Sequence, residues 1–157
     1  MTHRIEKTFV MLKPDTVNRG FIGEIITRLE KKGLQILAIK MLFVPLKKAE
    51  ELYKQHIGKA FYAALYGFTV SSPVVVMVIS GLDSINIVRT MIGSVDQIGT
   101  IRGDYSVTKS NRNLIHASDS VAAASREIGI FFEQNEICKY PKQDAMWVYS
   151  SLDLVEE

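Results

Sequence analysis

The amino-acid sequence predicts an α/β fold of the α+β sandwich type, in which helices cover a four-stranded antiparallel sheet. Two observations lead to this prediction. Short stretches rich in β-branched residues alternate along the chain with longer stretches whose apolar residues recur at helical spacing. The chain has 157 residues, 47% hydrophobic and 23% charged, which provides enough apolar surface for one well-packed core. We therefore expect residues 1–157 to form a single domain.

Four segments have the composition of strands. The first ends at Pro14, whose ring cannot donate a hydrogen bond to a neighbouring strand, and the second ends before Pro45. Val dominates the third, and Val favours an extended backbone. The predicted strands are Lys7–Lys13, Gln35–Val44, Pro73–Ile79 and Asn113–Ala117.

Apolar residues at helical spacing predict helices between these strands. Asp83 is expected to cap one helix that ends at Gly93, and Asp119-Ser120 is expected to cap another. Residues 94–108 have no sustained period and predict a long loop. The order of elements matches a ferredoxin-like βαββαβ core with its helices on one face of the sheet. The predicted helices are Phe21–Lys32, Lys47–Gln55, Ala60–Tyr66, 83–93 and 119–129.

Charge and cysteine content argue against several functions. The net charge of +2 does not indicate a nucleic-acid partner, although it is compatible with a local basic cleft for phosphates. Cys138 is the single cysteine, so one chain can form neither a disulfide nor a thiolate metal cluster. The first ten residues lack the apolar core of a signal peptide, and the longest purely apolar run is only Val74–Ile79. We expect a cytoplasmic protein without a membrane partner.

The densest cluster of polar side chains surrounds His116, at the end of the last predicted strand and just before a helix. Free N–H groups at a helix N-terminus favour an anion, and a neutral imidazole is a competent nucleophile near neutral pH. His116 is therefore a candidate phosphoryl acceptor. The alternative is an ordinary histidine with one ring nitrogen hydrogen-bonded, and spacing alone does not separate the two.

The sequence has no glycine-rich phosphate loop of the Walker or dinucleotide-binding kind, so phosphate contacts would come from side chains. The candidate cations are Lys13 at a strand end, Arg89 beside an apolar helix stripe, and Arg102 between two glycines. Each has a structural alternative, because Lys13 could be solvated, Arg89 could extend into solvent and Arg102 could lie on a flexible loop. Phe61 and Leu65 form either a clamp for a nucleotide base or part of the core.

The run Asn113-Leu114-Ile115-His116-x-Ser118-Asp119 resembles the active-site signature of nucleoside diphosphate kinases. Gly99-Thr100-Ile101-Arg102-Gly103-Asp104 matches a second specific motif of that family. The resemblance covers essentially the whole chain, and it implies a ferredoxin-like core. It also implies ping-pong transfer of the γ-phosphate from a nucleoside triphosphate, mainly ATP, to a nucleoside diphosphate. The other matching landmarks are Lys13-Pro14-Asp15, Arg19-Gly20, Tyr53, Phe61, Leu65, Pro73-Val74-Val75, Arg89, Gly93, Glu127 and Trp147-Val148-Tyr149.

The same resemblance implies catalytic roles for individual residues. His116 would carry the phosphoryl group on Nδ1, with Glu127 and Ser118 orienting its ring. Tyr53 would place a hydroxyl near the histidine, and Lys13 would act on the phosphates during transfer.

Binding roles follow from the resemblance as well. The phosphates and ribose would be held by Lys13, Arg89, Arg102 and Asn113, and the base would stack on Phe61 beside Leu65. Mg²⁺ would arrive bound to the nucleotide phosphates, with Asp119 reaching it through water. The resemblance also implies a homo-oligomer. A hexamer is favoured over a tetramer, because Trp147-Val148-Tyr149 resembles the segment that bridges subunits in hexameric members.

The sequence departs from the family pattern close to these residues. Ala117 replaces the usual Gly, Val95 replaces a phosphate-binding Thr, and the stretch Gly93–Gly99 is shorter than usual. Lys109 or Ser110 lies near the place of an apolar base-clamp residue. We expect nucleotide binding to be weaker than in a typical member while activity is retained. Two alternatives are a scaffold or regulatory protein of the same fold with weak transfer activity, and a histidine phosphocarrier that donates to another protein.

Overall fold

The computed structural model describes residues 4–153, and in this range four strands form one antiparallel sheet with the order β2-β3-β1-β4. This order, with β1 and β3 in the centre, is that of a ferredoxin-like core and confirms the predicted sheet. β1 pairs with β3 along its whole length, from Ile5 opposite Leu82 to Leu12 opposite Val75. The strands are Ile5–Leu12 (β1), Gln35–Leu42 (β2), Val74–Leu82 (β3) and Ile115–Ala117 (β4).

The five predicted helices are present, with each end within four residues of its predicted position, whereas the short helices Pro14–Asn18, Ile101–Tyr105 and Ala145–Val148 were not predicted. The region 94–108, predicted to be a loop, contains a short helix, so that prediction was wrong. Thr100 starts this helix because its side-chain oxygen accepts a hydrogen bond from the Gly103 N–H at 3.1 Å. The α-helices are Pro14–Asn18 (α1), Ile22–Lys31 (α2), Leu46–Leu52 (α3), Tyr62–Val70 (α4), Ser84–Ile92 (α5), Ile101–Tyr105 (α6), Val121–Phe131 (α7) and Ala145–Val148 (α8), with 3₁₀ turns at Lys54–His56 and Gln134–Glu136.

Helices cover both faces of the sheet, not one face as predicted. Phe9 and Val78 pack in a cluster with α3 and α7, whereas Val10 and Met77 pack in a second cluster with α2 and α5. Successive residues of a strand point to opposite faces, so the continuous apolar runs of β1 and β3 require cover on both sides. Among the described residues, none of the helices has the length and apolar character needed to cross a membrane.

The start of α5 is capped from a distant strand. Asp83 has a left-handed φ of 51° and its side chain makes no capping hydrogen bond, contrary to the prediction. Glu6 on β1 takes this role, because its Oε1 accepts a hydrogen bond from the Ile85 N–H at 2.9 Å. A carboxylate at this position also interacts favourably with the helix dipole. In α7 the prediction is confirmed, because the Ser120 side chain accepts from the Ala123 N–H at 3.1 Å.

Glu6→Ala should lower the free energy of unfolding by about 1 kcal/mol, because α5 loses a capping acceptor. Glu30→Ala is the matched control, since Glu30 is an exposed glutamate inside α2. Urea unfolding of both variants beside the wild type measures the difference. Equal losses in the two variants would contradict the capping role of Glu6.

Candidate active site

A cleft of about 580 Å³ opens where β1 ends and β4 begins. This volume lies within the roughly 300–1,000 Å³ typical of small-molecule sites. Residues from distant parts of the chain meet in this cleft. The predicted site residues that line it are Lys13, Tyr53, Phe61, Leu65, Arg102, Asn113 and His116.

A strained turn immediately before β4 lies between Asn113 and Ile115, which both line the cleft. Leu114 has a φ of 73°, in the left-handed region that non-glycine residues rarely adopt. The Leu114 N–H donates to Asp15 Oδ2 at 3.0 Å, and the Leu114 carbonyl accepts from Thr16 Oγ1 at 2.6 Å and from the Lys13 N–H at 2.8 Å. Strain of this kind persists where the surroundings over-determine it. The turn thereby fixes the direction in which the neighbouring Asn113 enters the cleft.

His116 is held through one of its two ring nitrogens. It is the central residue of β4, and its Nε2 lies 3.0 Å from Oε2 of Glu127 on α7. The Ser118 hydroxyl donates to the same carboxylate oxygen at 2.6 Å. A carboxylate only accepts, so this geometry requires the proton on Nε2 and leaves the lone pair on Nδ1. The ring nitrogen available to a ligand is therefore Nδ1.

Glu127 is a buried carboxylate, with 2% of its surface exposed. Burial by itself raises the pKa of Glu127, but hydrogen bonds from His116 and Ser118 and the charge of Arg126 outweigh it. The pKa of Glu127 therefore lies below its ordinary value. The group consequently stays ionised at neutral pH, as an acceptor for the imidazole requires.

Lys13 is a buried cation at the other side of the cleft, with 4% of its surface exposed. Its Nζ donates to Asn113 Oδ1 at 2.8 Å and to the Asn111 carbonyl at 2.9 Å. Burial and the nearby charge of Arg102 lower the pKa of Lys13 to about 8, while Asp15 acts in the opposite direction. An anion in the cleft would add to the countercharge of Asp15 and favour the protonated form of Lys13.

Arg102 also lies in the cleft, held by backbone oxygens. It donates to the Asn113 carbonyl at 3.2 Å and to the Ile115 carbonyl at 2.9 Å. Burial and the charge of Arg89 lower the pKa of Arg102. Arg89 itself does not line the cleft, and its Nη1 lies 3.5 Å from the Ala117 carbonyl.

Tyr53 and Asp119 have different positions relative to the cleft. Tyr53 lines the cleft together with His116, its hydroxyl pairs with Thr69 Oγ1 at 3.0 Å, and burial raises the pKa of Tyr53 to about 12. Asp119 is exposed, lies outside the cleft lining and accepts from Ser120 Oγ at 3.2 Å. Residues 4–153 contain no group of three or more His, Cys, Asp or Glu side chains that could hold a metal ion.

The cleft also contains residues that sequence reasoning missed. His56 lines it, with its ring centroid 5.3 Å from that of Phe61, and Asn111 carries the carbonyl that accepts from Lys13. The spacing of Tyr53, His56 and Phe61 on one short segment was the available signal. Arg126, the residue before Glu127, was also missed, because its contacts are to residues far away in the sequence.

The segment that departs from the family pattern packs beside the cleft. Val95 does not line it, and the lack of a side chain at Gly103 lets the backbone pass close to the Gln97 carbonyl, where a Cβ would collide. Asp96 forms an ion pair with Lys109 at 2.5 Å, and Lys109 lines the cleft. Ala117 is buried in β4 opposite Val10, where a strand tolerates a methyl group.

Residues 6–137 match the family model for nucleoside diphosphate kinases. The nucleoside diphosphate kinase of Archaeoglobus fulgidus is 47% identical over 149 residues, which cover 92% of this chain and 98% of that relative. The nucleoside diphosphate kinase of Saccharolobus solfataricus is 49% identical over 136 residues, which cover 84% of this chain and 98% of that relative.

Solved structures of similar proteins share the fold over nearly the same length. A halophilic nucleoside diphosphate kinase from Halobacterium salinarum in complex with CDP has a TM-score of 0.89 and 42% identity, covering 93% of this chain and 99% of that one. A transition state mimic of the nucleoside-diphosphate kinase from Borrelia burgdorferi, with bound vanadate and ADP, has a TM-score of 0.86 and 37% identity, covering 91% of this chain and 96% of that one.

The lowered pKa of Lys13 predicts a pH-dependent stability. The folded chain binds the Lys13 proton more weakly than the unfolded chain does, so the wild type should gain stability as pH rises through about 8. Relative to Lys13→Met, we expect a gain of about 2 kcal/mol between about pH 7.5 and about pH 9.5, measured by urea unfolding. Lys47→Met replaces an exposed lysine, so its free energy of unfolding relative to the wild type should not change over the same pH range. If the difference in the free energy of unfolding between the wild type and Lys13→Met does not change with pH, the pKa of Lys13 is not lowered in the folded chain.

Proposed function

This chain belongs to the nucleoside diphosphate kinase family, and on that premise we propose that the phosphoryl group it moves between nucleotides is carried on Nδ1 of His116. The observation that carries this proposal is the 3.0 Å contact between His116 Nε2 and Glu127 Oε2. It leaves Nδ1 with the lone pair that a nucleophile needs, on a side chain that lines the cleft. The chemistry is then a ping-pong phosphotransfer in two halves.

In the first half, Nδ1 attacks the γ-phosphorus of a nucleoside triphosphate, mainly ATP. The bond to the β–γ bridging oxygen breaks, and the diphosphate leaves. In the second half, a terminal phosphate oxygen of another nucleoside diphosphate attacks the same phosphorus, the P–N bond breaks, and the electron pair returns to Nδ1. Positive charge builds on the imidazole as the P–N bond forms and is lost again as that bond breaks, and the Glu127 carboxylate stabilises the charged ring through Nε2–H.

The cations of the cleft neutralise charge on the transferred group. Lys13 and Arg102 line the cavity, and Arg89 lies close enough to Arg102 to lower its pKa. We assign the phosphates to these three side chains and to Asn113, whose side-chain oxygen already accepts from Lys13. Catalysis of phosphoryl transfer depends mainly on such positioning and charge neutralisation.

Mg²⁺ belongs to the substrate in this proposal. The described chain has no cluster of metal ligands, so the ion would be held by the β- and γ-phosphate oxygens and would offset their charge. Asp119 would contribute at most through water, because its side chain is exposed and lies outside the cleft lining.

The base is assigned to the apolar wall formed by Phe61 and Leu65. Phe61 is 51% exposed and lines the cleft, so one face of its ring is accessible for stacking. Stacking does not depend on the hydrogen-bonding edge of a base, and the enzyme should therefore accept all common nucleosides.

We also propose that the chain forms a cytoplasmic homo-oligomer of single-domain subunits spanning residues 1–157, a hexamer in preference to a tetramer. β2 is an edge strand, and its exposed side chains include Ile39 and Met41, followed by Phe43. An apolar edge strand of this kind is usually covered by a partner. Trp147 on α8 is 83% exposed, which supports a further contact at the C-terminal segment.

His116→Ala should abolish the phosphoenzyme. With γ-labelled ATP and Mg²⁺, we expect the wild type to take up an acid-labile, base-stable label that GDP discharges, whereas the variant takes up none. His56→Ala removes the other histidine of the cleft and should keep the label. Label that persists in His116→Ala would show that His116 is not the nucleophile. Label that GDP cannot discharge would favour a phosphocarrier.

Phe61→Ala should raise the KM for every nucleotide about tenfold, because base–aromatic stacking contributes about 1–3 kcal/mol. The ratio of KM values among ATP, GTP and CTP should stay the same. Inhibition by tripolyphosphate, which has no base, is the control and should be equal in the two proteins. A change confined to one base would contradict stacking without base readout.

A further inference from the structure

Arg126 connects the candidate site to the opposite wall of the cleft. It lies next to Glu127 on α7, and 37% of its side chain is exposed. One guanidinium nitrogen, Nη1, donates to the Glu51 carbonyl in α3 at 3.0 Å. The other, Nη2, lies 3.3 Å from Gln55 Oε1 and 3.4 Å from Glu127 Oε1. A single planar fork therefore links α7, α3 and the turn that follows α3.

The two oxygens of Glu127 have different partners. Oε2 accepts from His116 and from Ser118, whereas Oε1 accepts from Arg126. With both oxygens engaged, the carboxylate cannot rotate away from the imidazole without losing hydrogen bonds. Buried charged networks of this kind are stable only when each member is satisfied.

The turn that Arg126 holds is part of the cleft wall. Tyr53, Gln55 and His56 all line the cavity, and Gln55 is the residue that receives Nη2 of Arg126. Movement of this wall away from α7 would change the width of the cleft beside His116. Arg126 therefore helps to set the distance between this wall and His116, in addition to its contact with Glu127.

Resting on the phosphohistidine function proposed above, we propose that Arg126 is a positioning residue for the transfer: it locks Glu127 onto His116 Nε2 and fastens the Tyr53–His56 wall to the same helix. Arginine suits this task because its guanidinium presents several donors in a fixed plane. A lysine at the same position would keep the positive charge near Glu127, but one ammonium would not reproduce the planar fork.

The charged and titratable groups around Glu127 define what a pH profile reports. His116 faces it from β4, Tyr53 from the segment after α3, and Arg126 from α7 itself. Removal of Arg126 takes away the positive charge next to Oε1 of Glu127, so the pKa of Glu127 rises. The acid limb of the phosphorylation rate should then move to higher pH.

The test compares Arg126→Met, Arg126→Lys and Gln55→Ala with the wild type in single-turnover phosphorylation of His116 by ATP across pH. Arg126→Met should slow phosphorylation about tenfold near neutral pH and move the acid limb upward by about one pH unit. Arg126→Lys should have the acid limb of the wild type but a raised KM, because it keeps the charge near Glu127 and loses the contact with the cleft wall. Gln55→Ala should raise KM and leave the acid limb in place. Lys47→Met, an exposed change in α3, is the control and should match the wild type.

Nitrogen-15 NMR of the His116 ring gives a second readout that a purely structural role would not change. The wild type should have the proton on Nε2, and Arg126→Met should populate the Nδ1–H tautomer. If Arg126→Met keeps the wild-type tautomer and acid limb, the positioning role is wrong. If Arg126→Met does not fold, Arg126→Lys with an unchanged KM would overturn the wall contact just as directly. Failure of the wild type to label His116 would instead overturn the proposed function.

Discussion

The Glu127 carboxylate is the constraint on which the rest of the site depends. It is almost fully buried, and it remains ionised because His116, Ser118 and Arg126 surround it. Its contact with Nε2 determines which nitrogen of a neutral imidazole is protonated and therefore which one keeps its lone pair. Removal of this acceptor would leave a ring free to change tautomer and to rotate. The packing of α7 against β1 and β4 is thus needed to place Glu127 beside His116 as well as to bury apolar surface.

A second constraint is the concentration of positive charge in the cleft. Lys13 and Arg102 donate to amide and carbonyl oxygens, and within residues 4–153 neither forms an ion pair with a carboxylate. Each has a lowered pKa because of burial and because of neighbouring cations. The folded chain therefore carries an electrostatic cost that the phosphates of a nucleotide can offset. The ferredoxin-like sheet supports this arrangement by bringing the end of β1 beside the start of β4.

Sequence reasoning recovered the elements and residues that local patterns encode. The four strands, the family and seven residues that line the cleft, among them Lys13, Arg102 and His116, were predicted because they stand in recognisable motifs. The helix at Ile101–Tyr105 was missed because it is a single short segment containing Gly103. The cap from Glu6 and the bridge from Arg126 join positions far apart in the chain, so no local pattern reports them. The pairing of the Tyr53 hydroxyl with Thr69 was not predicted either, because it depends on the packing of α4 against the segment that follows α3.

The most direct test of this account is the position of the phosphate on the His116 ring. The phosphorylated enzyme can be labelled with ¹⁵N at histidine and examined by ³¹P and ¹⁵N NMR under basic conditions, where the label is stable. Because Glu127 engages Nε2, phosphorus–nitrogen coupling should assign the phosphoryl group to Nδ1. Coupling to Nε2 of His116 would contradict the account, since the carboxylate and the phosphate would then require the same nitrogen.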